Sequence, residues 1–290
     1  MRFAIVTHRA STTNLELASR PLSGRSSVLL SPVDALRLLE PGDVALGRLD
    51  VRGTLDGVED GLAALALLAG RGVTVFNQPS ALLAAHDKLL TARALERAGL
   101  PHPRTALLLP GAAPPALELP CVLKPRFGSW GRDVVMCRDR YEVSRAHVAL
   151  ATRPWFARHG ALVQELVPPL GHDLRLVVAG GEVVGAIRRT AAAGEWRTNV
   201  ALGATREPVR PSPAAVGLAL EAARAIGADL VGVDLLPVGP GRYSVLELNG
   251  AVDFTNEYAP RSDVFRDALF ALARAGTGCV PVASRLALVV

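Results

Sequence analysis

Short apolar runs separated by turn signals dominate the first third of the chain. Residues 2–8 (RFAIVTH), 44–49 (VALGRL) and 73–76 (VTVF) read as strands, and the Ala/Leu-rich stretch 56–70, closed by Gly70, reads as a helix between the last two. Strand, helix, strand in that order predicts a small parallel α/β unit over residues 1–85. No GxGxxG follows the first strand, which argues against a dinucleotide-binding turn. A second helix is well punctuated, with Asp87 as N-cap, Lys88 opening it, and Gly99 and Pro101 closing it.

Further on, the Pro- and Ala-rich stretch 107–120 reads as a linker, and CVLKPR (121–126) and VVMCR (134–138) as strands around the loop FGSWGRD. ALVQELV (161–167) is another strand. Residues 175–179 and 182–188 flank Gly180-Gly181, a favoured hairpin turn. Centring the turn there sets Asp173 opposite Arg188, with Arg175 on the face of Asp173 by the period of two. Ser212-Pro213 starts a helix that runs to Gly227. A second hairpin joins 230–236 to 243–249 around residues 239–242, and a last helix comes after Ser262. There are no internal repeats.

The second hairpin is the most informative segment. Its strands read LVGVDLL and YSVLELN, so Asp234 is a lone carboxylate in an apolar strand. A turn symmetric about Pro240-Gly241 pairs Asp234 with Glu247 and Gly232 with Asn249. Asp234, Glu247 and Asn249 then share one face, and Val233, Leu235, Leu246 and Leu248 the other. Cross-strand partners have Cβ atoms about 5 Å apart, and like charges there repel. On a buried sheet they need a cation, and oxygen ligands select Mg²⁺ or Mn²⁺ over zinc. Gly232 would leave room for the ligand. The competing reading is a solvated hairpin face on which two acids are tolerated.

Composition adds a second pointer. Of 32 basic residues only Lys88 and Lys124 are lysine, the rest being arginine. A compact ammonium suits a narrow phosphate pocket better than a planar guanidinium. Lys88 opens a helix, where the dipole favours anions, and Lys124 precedes the glycine loop Gly128-Ser129-Trp130-Gly131-Arg132, whose backbone can approach phosphate oxygens. The loop is not a Walker A motif, since no GK[ST] opens a helix. Each signal alone fits an ordinary exposed lysine or a flexible hairpin.

The remaining features narrow the class. Half the residues are apolar and few are aromatic, so the chain is globular with an aliphatic core. A net charge of +5 suits an acidic partner or nucleic acid, yet the arginines are scattered without interleaved aromatics, which reads as a solvated surface. Cys121, Cys137 and Cys279 lack CxxC spacing and the six histidines lack metal spacing, so zinc is not expected. The N-terminal MRFAIVTH reads as a strand rather than a signal peptide, and the terminal LALVV falls short of the ~20 residues of a membrane span. A cytoplasmic protein is expected.

Taken together, NQPSALLAAHDKLLTARALERAGLPHPRT, VLKPRFGSWGRDV, VQELV, GHDLRLVVAGGEVVGAIRR, GEWRTNVALGA, GVDLL and VLELN resemble, in order and spacing, the RimK-like α-L-glutamate ligases of the ATP-grasp superfamily. The resemblance runs from Asn77 to Asn249. It implies an α/β (α+β) ATP-grasp fold with a Rossmann-like pre-ATP-grasp domain at 1–85. An ATP-grasp domain would occupy 86–278, with a lid subdomain at about 104–160 and a C-terminal subdomain at about 161–278, and then a tail at 279–290. It implies ATP and Mg²⁺ as cofactors and a ligation through an acyl phosphate. Lys88 and Lys124 resemble the phosphate-contacting lysines, and Gly128, Ser129 and Gly131 the loop over the triphosphate. Glu165 and Leu166 resemble the adenine hinge, Asp173 a residue near the ribose, and Arg197, Thr198 and Asn199 a phosphate-facing segment. Asp234, Glu247 and Asn249 resemble the metal ligands, and Arg175 and Arg188 the arginines that meet the acyl phosphate or a substrate carboxylate.

One departure stands out. In many RimK-like enzymes Ser-Pro-Gly comes after the metal asparagine, where this chain has Gly250-Ala251-Val252. That leaves the added amino acid open. The expected partners are a small carboxylate and an amine, or an acidic peptide or carrier protein, with neither membrane nor nucleic acid and with a homo-oligomeric assembly (dimer or tetramer). Two rivals remain at this point. One is a D-alanine–D-alanine-type or glutathione-type ligase, and the other a non-catalytic basic nucleic-acid-binding module.

Overall fold

Alternation of buried strand and capped helix builds the N-terminal unit. The structure, a computed structural model, describes residues 2–277, with Arg25, Ala116 and Leu117 apart. Strands β1 (Arg2–Val6), β2 (Ser26–Leu30), β3 (Val44–Gly47) and β4 (Thr74–Phe76) form a parallel sheet in the order β2-β1-β3-β4. Helices α1 (Thr12–Ala18), α2 (Pro32–Leu38) and α3 (Leu62–Gly70) are its crossovers. Ser11 and Ser31 cap the first two through side-chain oxygens that accept from Asn14 N–H and Asp34 N–H. On α3, Leu65 and Leu68 are fully buried, each stabilising the unit by ~1.5–3 kcal/mol. The patterning missed α1, β2 and α2, because polar and apolar residues mix there without a clean period.

Helices α4 (Pro79–His86) and α5 (Lys88–Arg97) lead out of this unit. Asp87 caps α5 as expected, accepting from the Leu89 and Leu90 amides. Asn77 bolts the unit to the C-terminal half of the chain. Its amide oxygen accepts from Asp229 N–H and Leu230 N–H, both at 2.9 Å, and its amide nitrogen donates to the Leu230 carbonyl at 2.8 Å.

The middle sheet is antiparallel, in the order β5-β8-β6-β7, from β5 (Thr105–Leu108), β6 (Cys121–Pro125), β7 (Val135–Cys137) and β8 (Ala161–Glu165). The expected linker therefore begins with a strand, and β8 belongs to this sheet rather than the next. Helices α6 (Arg140–Leu150) and α7 (Pro154–His159) cover it. Cys121 and Cys137 face each other across β6 and β7 as free, buried thiols. Cys279 and the expected tail lie outside the described residues.

The third sheet has the order β11-β10-β9-β12-β13, from β9 (His172–Ala179), β10 (Glu182–Thr190), β11 (Thr205–Pro208), β12 (Leu230–Gly239) and β13 (Arg242–Asn249). Helix α8 (Pro213–Ile226) packs on one face through Ala215, Ala219, Ala222 and Ala223, and α9 (Val264–Thr277) packs behind β9 and β10. Ser212 caps α8, and Gly227 ends it in the left-handed conformation. No helix among the described residues is long and apolar enough to cross a membrane.

Candidate functional site

Two registers decide what faces the space between the sheets. In the β12–β13 hairpin, Gly232 pairs with Asn249 and Asp234 with Glu247, as the symmetric turn requires. Two bulges lie between this pair and the turn. One inserts Leu246 on β13 and the other Val238 on β12, so their shifts cancel. The first bulge re-aims Leu246 into the cleft, away from the apolar face where alternation had placed it. The room at Gly232 is also not for a ligand. A Cβ there would lie 2.6 Å from Val252 Cγ2, so the glycine lets Val252 pack against the strand.

The β9–β10 hairpin has one bulge, between Val183 and Gly185, and nothing cancels it. Asp173 therefore pairs with Arg189, and the expected partner Arg188 moves to Leu174. Arg189 is buried and faces the cleft, while Arg188 is partly exposed and turned towards Glu207 at 4.0 Å. Arg188 thus stays off the site that the resemblance assigned to it.

A cleft of about 970 Å³ gathers the other expected residues. It is lined by Lys88, Lys124, Gly128, Ser129, Gly131, Glu165 and Leu166 from the α5 end and the middle sheet, by Asp173, Arg197, Thr198 and Asn199, and by Asp234 and Glu247. A second cleft of about 1000 Å³ adjoins it, and Lys88, Arg189, Asn199 and Glu247 line both. Arg175 and Asn249 face the second cleft.

The lysines are held in place by local bonds. Asp87, the α5 cap, also receives a two-pronged ion pair from Arg126, at 2.7 and 2.5 Å. This pins the start of α5 against the end of β6. Lys88 Nζ then donates to the Gly128 carbonyl at 2.7 Å and lies 3.3 Å from Glu247. Lys124 is buried and donates to Gln164 Oε1 at 2.6 Å. Burial, reinforced by Lys88 and opposed by Glu247, pulls the Lys124 amine down to about 8. On the loop, Gly131 approaches Asn199 closely, and its carbonyl accepts from Arg197 Nη1 at 2.9 Å.

A buried array of two acids and two arginines sits at the junction of the clefts. Arg175 donates to both oxygens of Asp234 at 2.6 Å, and Arg189 reaches Asp234 at 2.8 Å. Arg189 also binds both oxygens of Asp173, which accepts from the Thr198 hydroxyl at 2.6 Å as well. Burial pushes the Asp234 carboxyl up, but Arg175 and Arg189 outweigh it and hold it well below the usual carboxylate range. Sequence reading missed Arg189 and Gln164. The signal for Arg189 was present in the tandem Arg188-Arg189 and was lost to the bulge.

The donor set fits a hard divalent ion. Asp234 offers four lone-pair positions and uses three on arginine, so one remains for a single-point contact. Glu247 forms its ion pair with Lys88 alone among the described residues, and Asn249 Oδ1 accepts a long 3.3 Å bond from Ala251 N–H. Among the described residues no cluster of three acids, histidines or cysteines competes as a metal centre.

Comparison with known proteins covers the same part of the chain. The family model for the RimK-like ATP-grasp domain matches residues 85–260. A glutamate–LysW ligase from Sulfurisphaera tokodaii is 32% identical over 74% of this chain and 78% of its own length. A tetrahydromethanopterin:alpha-L-glutamate ligase from Methanosarcina acetivorans is 32% identical over 72% of this chain and 65% of its own. Among solved structures, a RimK-domain ATP-grasp protein from Sphaerobacter thermophilus superposes with a TM-score of 0.67 at 23% identity, covering 95% of this chain and 99% of that one. A D-alanine–D-alanine ligase from Bacillus anthracis gives 0.67 at 15% identity with the same coverage.

Proposed function

Because the chain belongs to the RimK-like ATP-grasp family and is a ligase that forms carbon–nitrogen bonds, we propose that it joins an amino acid, glutamate being the first candidate, to a carboxylate through an acyl phosphate made with ATP. The observation that carries this reading is the Asp234–Glu247 pair, in register on one cleft wall with Lys88, Lys124 and the glycine loop around it. Such an arrangement suits a metal-bound triphosphate.

The first step is attack of the substrate carboxylate on the γ-phosphorus, with ADP leaving. The second is attack of the amine on the acyl carbon, with phosphate leaving. This chain's part is positioning and charge neutralisation, and no nucleophilic side chain is needed. Lys88 and Lys124 retain free N–H donors for phosphate oxygens. The loop around Gly128, Ser129 and Gly131 closes over them, with Arg197 anchoring Gly131. Leu166 lines the cleft together with Val122, Leu236 and Leu246, apolar side chains suited to a purine, and with Glu165. Asp173 acts by holding Arg189 and Thr198. Arg189 and Arg175 face the forming acyl phosphate from the sheet side. Asp234, Glu247 and Asn249 would hold Mg²⁺ or Mn²⁺, which when bound neutralises phosphate charge.

The acceptor carboxylate belongs to a metabolite or an acidic carrier, for which the net positive charge is suited. A cytoplasmic homo-oligomer is the proposed working form, to be checked by light scattering. Coupled ADP release in Mg·ATP with single carboxylic acids, amino acids among them, with and without hydroxylamine, tests the reaction. A hydroxamate product is expected, since hydroxylamine traps an acyl phosphate. Steady ADP release without hydroxamate would point to bare ATP hydrolysis and reject the acyl phosphate.

A further inference from the structure

Next to the acid pair, the second cleft contains a polar atom without a partner. His86, the last residue of α4, is 4% exposed and lines this cleft. Its Nε2 has no hydrogen-bond partner. The backbone carbonyl of Leu49 favours a proton on the ring, and since Nε2 has no partner that proton is assigned to Nδ1. Nε2 is therefore a bare acceptor, buried at a cost of ~1–3 kcal/mol unless a donor meets it. Burial keeps the ring neutral and pulls its pKa down to about 4.

The surroundings say what kind of donor fits. Asp50 lines the same cleft and acts on His86 electrostatically, and Asp253 lies on the cleft as well. The same cleft is lined by Arg175, Arg189 and Arg206, the last held by Glu257 through its Nε at 2.9 Å. The cleft thus carries two carboxylates, Asp50 paired with Arg9 at 2.9 Å and Asp253 facing Arg48 at 3.6 Å, and three guanidinium groups besides. Gly250 lies against this atom without crowding it, whereas a Cβ there would lie 3.2 Å from His86 Nε2.

Resting on the ligase reading above, we infer that His86 recognises the amine substrate, its Nε2 accepting a hydrogen bond from the nitrogen of an α-amino acid whose carboxylate lies towards Arg206. Asp50 and Asp253 draw the ammonium charge into the cleft. His86 is a binding residue in this account and transfers no proton.

The test uses the full chain saturated with Mg·ADP and titrated calorimetrically with each protein amino acid, then with the deaminated acid of the one that binds best. In the wild type, one or more amino acids bind, and the deaminated acid binds at least about tenfold more weakly. His86→Phe removes the acceptor, and that preference collapses by about tenfold while Mg·ADP affinity stays unchanged. His86→Gln, which places an oxygen near the same reach, restores part of it. The wild-type comparison stands even if His86→Phe fails to fold. Equal binding of an amino acid and its deaminated acid, no amino acid bound at all, or an undiminished preference in His86→Phe overturns the proposal. A failure of Mg·ADP to bind the wild type would instead overturn the ligase reading.

Discussion

Asp234 and Glu247 face each other directly across β12 and β13, yet only Asp234 is locked, by Arg175 at 2.6 Å and Arg189 at 2.8 Å. The two acids will therefore respond differently to neutralisation. Glu247→Gln leaves the fold intact and lowers ADP release on the order of 100-fold, with loss of the thermal stabilisation by Mg·ADP. Asp234→Asn takes from Arg175 its charged partner and leaves Arg189 with Asp173 alone, which costs ~3–5 kcal/mol in addition. Thermal melts with and without Mg·ADP, beside ADP release, separate the effects. A Glu247→Gln enzyme with full turnover in saturating Mg·ATP would remove the metal assignment.

Neighbouring arginines give the next contrast. Arg189→Met leaves Asp173 and Asp234 short of a partner, so stability falls by ~3 kcal/mol and ligation is lost. Arg188→Met changes stability by ~0.5 kcal/mol or less, since its pairing with Glu207 is a long, exposed contact. Urea melts and ADP release on both variants check this. The opposite order of effects would mean that Arg188, and not Arg189, faces the cleft.

The same bulges explain what could and could not be read in advance. The Asp234–Glu247 register was legible because two bulges of opposite sense restore the count that the turn sets. The Asp173–Arg188 register was not, because the single bulge beside Val184 shifts every later pair by one. Nothing in the local sequence announces it except Gly185, whose missing side chain lets Tyr258 approach, since a Cβ there would lie 2.8 Å from that residue's Cβ. The Lys124–Gln164 bond joins strands forty residues apart, and periodicity carries no information on such a pair. Motif order, by contrast, brought Lys88, the glycine loop and the end of β8 to one cleft, because each sits beside a turn or cap with its own residue chemistry.

Lys124 sets a pH dependence. Its amine is charged below about pH 8 and neutral above it. Attraction to the triphosphate is therefore fully present at lower pH and fades as pH rises through that value. The apparent KM for Mg·ATP is expected to rise between about pH 7 and 9, and Lys124→Arg should flatten the rise. Stability of the free protein runs the other way. The unfolded chain holds this proton up to the ordinary value of 10.5, so between the two values the folded form binds fewer protons and gains stability with rising pH. Initial-rate profiles and melts across that range check both signs.

The turn that joins β9 to β10 offers a test of how the Arg175 and Arg189 strands are seated. Gly180 and Gly181 both have positive φ, +53° and +81°, so alanine strains either one by ~1 kcal/mol. They differ in surroundings. A Cβ at Gly181 meets nothing within 4 Å, whereas one at Gly180 would lie 2.2 Å from the Ala271 carbonyl oxygen on α9. That contact is with backbone, so the helix must shift. Gly181→Ala should lower the melting temperature by about 2–4 °C, and Gly180→Ala by at least about twice that. Because α9 packs behind the strands that carry both arginines, Gly180→Ala should also slow ligation, while Gly181→Ala should not. Equal melting temperatures for the two variants would show that α9 does not seat the hairpin.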